Sequence, residues 1–202
     1  MEIYYIGGSP CSGKSTIAQA LATEYDLDYF KVDDHLEKYM KKGAADGKLC
    51  CAMVEKMTSE QIWMREPGVQ CKEELMIYEE ILEYIRNDLK NADGKKDIIT
   101  EGAAYLPRLA MQLHVPADRY LSITPTKAFQ VFHYSKREWV PFVLSECSNQ
   151  AKAFENWMER DALFAREVQR QCAEAGYVSV INDGKVPVEE MIKMAAEHFG
   201  LK

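Results

Sequence analysis

The residues of this sequence that point most directly to chemistry lie near its start, in a loop that ends in a lysine and a serine. Residues 8–15 read Gly-Ser-Pro-Cys-Ser-Gly-Lys-Ser and match the pattern G-x-x-x-x-G-K-[ST]. Glycines let the backbone come close to phosphate oxygens and turn its N–H groups toward them. The lysine of such a loop reaches the β- and γ-phosphates, and the hydroxyl that follows is suited to Mg²⁺. The loop therefore predicts a nucleotide-phosphate site.

We expect nine consecutive residues to bind the nucleotide: Gly8, Ser9, Pro10, Cys11, Ser12, Gly13, Lys14, Ser15 and Thr16. Lys14 is also expected to be catalytic, and Ser15 to be a magnesium ligand. Cys11 has two interpretations. Amide donors and a helix start lower thiol pKa values, which would make it redox-sensitive, or it is simply a small residue, and we favour the second. The sixth residue after Cys11 is Ile17, which excludes a Cys-x5-Arg phosphatase loop.

Acidic residues follow two of the apolar runs that we interpret as strands. Asp33 and Asp34 come after residues 28–32, and Glu101 comes after residues 97–100. In open α/β sheets the ligand lies beyond the carboxyl ends of the strands. Phosphoryl transfer to a hydroxyl needs a carboxylate to accept or orient the proton and an oxygen ligand for magnesium. These three residues are the candidates, although Asp34 also suits the N-cap of a following helix.

The segments that must position these residues alternate between short apolar runs and helical periodicity, which is typical of α/β proteins. Strands are predicted at 2–6, 28–32, 97–100, 119–124 and 177–181. Helices are predicted at 14–25, within 35–91 with breaks at 43–48 and 66–68, and at 125–135, 150–175 and 187–199. The sequence thus predicts one domain over 1–202, with three layers built on a five-stranded, mostly parallel sheet.

The stretch from Ile6 to Ser15, followed by Val32-Asp33-Asp34-His35-Leu36, resembles the P-loop small-molecule kinases, a family that includes chloramphenicol phosphotransferase and the shikimate, gluconate and adenylate kinases. This resemblance implies a P-loop NTPase fold with a small helical lid. It also implies ATP, Mg²⁺ and γ-phosphoryl transfer to a hydroxyl or phosphate of a small molecule or nucleotide. Asp33 would be the general base, with Asp34 as the alternative, and Glu101 would serve magnesium.

The same resemblance assigns residues 35–91 to an acceptor-site insertion and residues 126–160 to the lid. Cations that could meet phosphates follow the fourth strand: His133, Lys136, Arg137, Arg160 and Arg166. Arginine suits bidentate contact with phosphate oxygens, and Arg137, in a polar cluster between helices, is the first choice as a catalytic residue. Most of the five are otherwise explained as solvated helix charges. Trp139 and Trp157 are interpreted as packing residues.

No motif identifies the acceptor. Arg108 is available for an acidic group or is an ordinary surface residue. Cations of the insertion would meet an anionic substrate or form a solvated basic face, which we favour: Lys38, Lys41, Lys42, Lys48 and Arg65. The loop 182–185 is expected near the adenine ring. It lacks the Asn-Lys-x-Asp pattern that reads guanine, which favours ATP over GTP.

The composition of the sequence limits which classes of partner we expect. The net charge of −7 argues against nucleic acid, because binding its backbone needs a concentrated positive surface. The sequence has no bilayer-length apolar run and no basic leader, so we expect no membrane partner and a cytoplasmic location. Six cysteines without CxxC spacing fit reduced thiols. A P-loop hydrolase or a nucleotide-binding regulatory protein is the alternative function. The sequence does not indicate an oligomeric state.

Overall fold

The computed structural model describes residues 1–91 and 95–202. Within these ranges five strands form one sheet: β1 (Ile3–Gly8), β2 (Asp28–Lys31), β3 (Ile98–Glu101), β4 (Tyr120–Pro125) and β5 (Val178–Asn182). Their spatial order is β2-β3-β1-β4-β5. Each neighbouring pair runs parallel. The α/β class and the five strands predicted from the sequence are confirmed, and β3 extends one residue further, to Glu101.

The described helices are α1 (Lys14–Glu24), α2 (Leu36–Ala45), α3 (Leu49–Val54), α4 (Ser59–Trp63), α5 (Pro67–Lys90), α6 (Pro107–Gln112), α7 (Lys127–Tyr134), α8 (Val140–Val143), α9 (Gln150–Ala175) and α10 (Val188–Phe199). Short 3₁₀ turns cover Val32–His35 and Ala117–Arg119. The sequence analysis missed α6 and α8. Both are short, and both begin with a proline in the first turn, where its missing N–H costs nothing. None of the described helices is both long and apolar enough to cross a bilayer.

Apolar side chains cover both faces of the sheet, as the buried parallel strands require. On one face, Ile6 and Leu121 pack with α1 and α10 in a cluster that includes Ile17 and Phe199. On the other face, α5 and α9 pack against Tyr120 and the neighbouring strand residues. A third cluster joins α7, α8 and α9, and Trp157 lies at its centre. Trp157 is therefore a packing residue, as expected.

Strand register brings the functional ends together. Glu101 on β3 lies beside Ile6 of β1 and Lys31 of β2. Gly8, the last residue of β1, has a φ of 125°, and a Cβ there would lie 1.9 Å from the carbonyl oxygen of Ile123. Only glycine allows β1 to approach β4 this closely and then turn into the loop. The carboxyl ends of β1, β2 and β3 thus meet at one edge, next to residues 9–13.

The insertion contains a carboxylate cap that can be tested. Glu80 of α5 accepts hydrogen bonds of 2.9 Å from the backbone N–H groups of Cys50 and Cys51 at the start of α3. Burial raises the pKa of Glu80, but these two bonds, together with the Cys51 side chain and the charge of Lys48, lower it further than burial raises it, and the net shift is downward. A lowered folded-state pKa stabilises the protein above the unfolded-state value of about 4.3, and the contribution is lost as the pH falls further.

We expect Glu80→Gln to lower the free energy of unfolding by about 1–2 kcal/mol at pH 7, because an amide replaces one acceptor oxygen with a donor. The loss should shrink as the pH falls below the unfolded-state value of about 4.3, because the wild-type carboxylate then takes up a proton. Urea titration at both pH values measures this. Glu83→Gln on the same helix is the control, since Glu83 pairs with Lys48 at the surface. Equal losses at pH 7 and pH 3 would contradict the capping role.

Candidate functional site

The phosphate loop has the backbone geometry that its glycines predict. Gly13 is the N-cap of α1 and has a left-handed φ of 93°. Cys11 also has a positive φ, at 61°. Asn182, at the end of β5, donates from Nδ2 to the backbone oxygen of Ser12 over 3.0 Å. The loop is therefore held between β1, α1 and β5, with the positive end of the α1 dipole at its rim.

The loop borders a cleft of about 660 Å³. Seven of the nine predicted loop residues, 10–16, line it, together with Asp33, Glu101 and Arg137. Gly8 and Ser9 lie behind this surface: Gly8 packs on β4, and Ser9 is buried. Residues that the sequence places far apart, from the turn after β2, from β3 and from the segment after α7, thus share one cavity with the loop.

Lys14 lies inside the loop, with only 6% of its surface exposed. Its Nζ donates to the backbone oxygen of Ser9 at 2.7 Å and lies 3.4 Å from Ser12 Oγ. Burial lowers the pKa of Lys14, and the negative charge of Glu101 acts against that shift. The lysine is thus held in place by the loop itself, close to where its charge would meet phosphate oxygens.

Ser15 and Glu101 meet across the cleft floor, although 86 residues separate them. Ser15 Oγ donates to Glu101 Oε1 at 2.8 Å, and the Tyr29 hydroxyl donates to the same oxygen at 3.1 Å. Burial, followed by the charge of Glu101, raises the pKa of Tyr29. The sequence analysis missed Tyr29, because an aromatic residue in a strand gives no functional signal.

The other carboxylate oxygen of Glu101, Oε2, is a candidate ligand for magnesium. Glu101 is 1% exposed, and its Oε2 has no hydrogen-bond partner among the described residues. Buried carboxylate oxygens are rarely left without a partner, and oxygen atoms are the ligands that Mg²⁺ prefers. Within the described ranges, no three His, Cys, Asp or Glu side chains form a metal cluster. The donor set fits an ion that takes one or two protein oxygens and completes its shell with phosphates and water.

Asp33 and Asp34 differ in their surroundings. Both lie in the 3₁₀ turn Val32–His35, but only Asp33 lines the cleft. Asp34 is not part of the lining and pairs at 3.1 Å with Lys31, which is. The predicted capping role of Asp34 is wrong: the 3₁₀ turn shifts the start of α2, whose N-cap is His35 and has no side-chain cap. Position in the cleft therefore favours Asp33 as the residue that meets an acceptor.

The cations predicted for the lid occupy two different places. His133, Lys136 and Arg137 line the cleft. The Arg137 guanidinium lies 4.5 Å from the Tyr134 ring centroid, and its Nη2 is 3.6 Å from Cys11 Sγ. Arg160 and Arg166 are not in the cleft lining. Arg160 pairs with Glu74 and Asp161, and Arg166 pairs at the surface with Glu159.

Cations that might have met an anionic acceptor have carboxylate partners. Arg108 pairs with Glu79. The pairs formed by the insertion cations are Lys38–Asp88, Lys41–Glu37, Lys42–Asp46, Lys48–Glu83 and Arg65–Glu73. Each positive charge is therefore offset locally. For the four lysines this favours the interpretation as a solvated, charge-paired surface, whereas the Arg65–Glu73 pair is largely buried.

Comparison with known proteins supports the fold. No family model and no curated protein matches the sequence. An uncharacterized protein from Eubacterium ventriosum ATCC 27560 is similar over 100% of both chains, with a TM-score of 0.51 and 14% identity. A kinase candidate from Chloroflexus aurantiacus has a TM-score of 0.43 and 16% identity, over 98% of this chain and 97% of that one. Shikimate kinase from Aquifex aeolicus has a TM-score of 0.42 and 20% identity, over 99% of this chain and 96% of that one. At 14% identity, the first of these similarities shows a shared fold alone.

Cys11 offers a direct probe of the loop and its neighbour Arg137. Burial raises the pKa of the Cys11 thiol, and the charge of Arg137 acts against that shift. This direction is the reverse of an activated thiol and favours Cys11 as a small loop residue. The other five cysteines are buried.

We expect the rate of Cys11 alkylation by iodoacetamide to rise with pH around a midpoint above about 8.5, because the thiolate is the reactive form. Arg137→Gln should move the midpoint higher still, since it removes the charge that favours the thiolate. Peptide mass spectrometry measures the rates, and Arg166→Gln, at an exposed ion pair, is the control. A midpoint below about 8, or one that Arg137→Gln leaves in place, would refute this assignment.

Proposed function

We propose that this protein is an ATP-dependent kinase that transfers the γ-phosphoryl group to a hydroxyl of a small molecule. The observation that carries the proposal is the contact between Ser15 of the phosphate loop and Glu101 of β3, with Asp33 lining the same cleft. A phosphate loop alone indicates nucleotide binding. A magnesium-type oxygen pair and a separate carboxylate in one cleft are the groups that phosphoryl transfer needs.

The loop residues bind and orient the nucleotide. Backbone N–H groups of Cys11, Ser12 and Gly13 and of the first turn of α1 face the phosphates, and Lys14 offsets the charge of the β- and γ-phosphoryl oxygens. Ser15 and Glu101 are the residues that would hold Mg²⁺, which when bound neutralises charge on those oxygens. Asn182 fixes the loop by its bond to Ser12 and places the 182–185 segment beside the nucleotide.

Asp33 acts on the acceptor. As the acceptor oxygen forms its bond to the γ-phosphorus, the bond from that phosphorus to the β–γ bridging oxygen breaks and ADP leaves. The hydroxyl proton passes to a carboxylate oxygen of Asp33. Because Asp33 is exposed in the cleft, an acceptor can reach it without a change in the sheet.

Residues 126–160 serve as the lid in this proposal. Transfer to a hydroxyl must exclude water, or ATP is hydrolysed instead. Arg137 contacts Cys11 of the loop and lies over Tyr134, so it is already positioned at the phosphate side of the cleft. The proposal also includes an acceptor site in the insertion 35–91, a single domain over 1–202 and a cytoplasmic location.

The role of Asp33 is tested with an acceptor identified by mass-spectrometric screening of hydroxyl metabolites with Mg·ATP. Asp33→Asn should lower kcat about 10²- to 10⁴-fold, while affinity for Mg·ATP changes less than about threefold. Asp34→Asn is the matched control and should leave both within about threefold, since Asp34 does not line the cleft and an exposed ion pair such as its pair with Lys31 contributes little. Undiminished transfer by Asp33→Asn would refute the base assignment. ATP loss that no acceptor accelerates would indicate a hydrolase.

The role of Glu101 is tested through magnesium. Glu101→Gln should raise the Mg²⁺ concentration needed for half-maximal nucleotide turnover about tenfold or more, because a neutral amide is a weaker ligand for this ion. Titration of turnover against Mg²⁺ at fixed ATP measures the shift. Tyr29→Phe is the control: it removes one hydrogen bond to Glu101 without changing the carboxylate. An unchanged Mg²⁺ requirement in Glu101→Gln would exclude Glu101 as a ligand.

A further inference from the structure

Arg137 lines the phosphate cleft without a carboxylate beside it. In the part of the chain that the structure describes, no Asp or Glu forms an ion pair with this residue. The five insertion cations considered for an anionic acceptor all have carboxylate partners. Arg160 pairs with Glu74 and Asp161, although it also lies over an aromatic ring. The charge of Arg137 is therefore not offset by a neighbouring acid, and its long side chain is held by contacts of another kind.

Two aromatic rings supply those contacts. The Arg137 guanidinium lies 4.5 Å from the ring centroid of Tyr134 and 5.5 Å from a ring centroid of Trp139. Guanidinium groups stack well on aromatic faces, and the attraction grows where water is excluded. The two rings also contact each other edge to face, with their centroids 5.9 Å apart. Arg137 thus lies against a pair of rings that attract its charge and carry no net charge to neutralise it.

The two rings are themselves held from behind. Trp157 of α9 lies 5.2 Å from Tyr134 and 5.8 Å from Trp139, measured between ring centroids. Trp63 of α4 stacks on the far side of this group, 4.4 Å from Trp157. Trp157 is 5% exposed and belongs to the core of the third cluster. The surface on which Arg137 lies is therefore fixed by the packing of the protein.

Trp139 is the exposed member of the pair. It is 44% exposed, whereas Tyr134 is 5% exposed. Packing stabilises a protein through the apolar area that it removes from water. Packing alone therefore does not account for a tryptophan that keeps nearly half of its surface in solvent. Its contact with the Arg137 guanidinium is the interaction that this position provides.

The guanidinium reaches the phosphate loop from this position. Arg137 Nη2 lies 3.6 Å from Cys11 Sγ, and both residues line the same cleft. Fixing a long side chain when a ligand binds costs conformational entropy, and a side chain that is already held loses less. Guanidinium donors also form strong charge-assisted bonds to phosphate oxygens. A held but uncompensated charge at the loop is thus suited to an anionic ligand.

We propose that Trp139 is a positioning residue: with Tyr134 it holds the Arg137 guanidinium at the phosphate loop and leaves its charge available to phosphate oxygens. A carboxylate in place of the rings would also hold the arginine, but it would compete with the phosphates for the same N–H donors. The inference rests on the proposed function for the role of Arg137 at the nucleotide. The positioning itself does not depend on any reaction.

Cys11 reports the position of the guanidinium without a reaction. Trp139→Leu should raise the pH midpoint of Cys11 alkylation by about 0.5 to 1 unit, because a guanidinium that leaves the loop no longer favours the thiolate. Asp161 and Lys14 also act on the pKa of this thiol, and both stay in place. Loosened packing would act in the opposite direction, since burial raises the same pKa. Trp139→Phe keeps an aromatic face and should shift the midpoint less than Trp139→Leu.

A double-mutant cycle tests whether Trp139 acts through Arg137. In the Arg137→Gln background, Trp139→Leu should add no further upward shift. An equal further shift in that background, or no shift by Trp139→Leu alone, would overturn the proposal. Phe142→Leu, at an aromatic residue of α8 that is 77% exposed, is the control and should leave the midpoint in place. If circular dichroism shows that Trp139→Leu does not fold, Trp139→Met supplies the same comparison.

Nucleotide affinity relates the position of Arg137 to the phosphates. Trp139→Leu should raise the Kd of Mg·ATP about three- to tenfold, and Arg137→Gln should raise it at least as much. The double variant should bind no more weakly than Arg137→Gln alone. An unchanged Kd in Trp139→Leu, or effects that multiply in the double variant, would overturn the role of Trp139. This second cycle also decides the question if the Cys11 midpoint does not respond to Arg137→Gln.

The two cycles separate this inference from the proposed function. If both give the expected results in a protein that phosphorylates no hydroxyl compound, the positioning role is supported and the kinase proposal is refuted. If phosphoryl transfer is found but Trp139→Leu changes neither the Cys11 midpoint nor the Kd of Mg·ATP, the positioning role alone is overturned. If the wild-type protein does not bind Mg·ATP, the kinase proposal fails and the Cys11 cycle decides whether Trp139 positions Arg137.

Discussion

The hydrogen bond between Ser15 and Glu101 joins the first turn of α1 to the end of β3, and the rest of the site is arranged around it. It forms only because β1 and β3 run parallel with Ile6 beside Glu101. A shift of one residue in that register would turn Glu101 to the opposite face of the sheet. Gly8 constrains the other side, because β1 must press against β4 before the chain turns into the loop. Packing of the sheet thus fixes the position of the magnesium-type oxygen pair.

The parts of the fold that follow local rules could be predicted from the sequence. The five strands and the phosphate loop are coded by apolar runs and by glycines at fixed spacing. Asp34 shows where this reasoning stops. Its type suits a helix cap, but the chain forms a 3₁₀ turn there, and Asp34 pairs with Lys31 instead. The choice between two geometries of one turn depends on tertiary contacts, since Val32 of that turn packs against Gly102.

The distribution of charge shows a similar limit. The pairs Lys41–Glu37 and Lys42–Asp46 are four residues apart on one helix, and helical spacing alone predicts them. Lys38 and Asp88 are 50 residues apart and meet only because α2 packs beside α5. An isolated cation in a sequence is therefore a poor indicator of an anionic ligand. Arg160 shows this most clearly, because a residue considered for the lid pairs instead with Glu74 of α5.

The buried charges of Arg160, Glu74 and Asp161 show what such a group contributes to the fold. Burying these three side chains removes their hydration, and apolar residues of similar volume usually give an equally stable or more stable core. Stability therefore does not account for them. Their contribution is geometric: Arg160 of α9 bonds to Asp161 and pairs with Glu74 of α5, and loss of either partner would leave a charge buried without its counterion, so the three together fix α9 against α5.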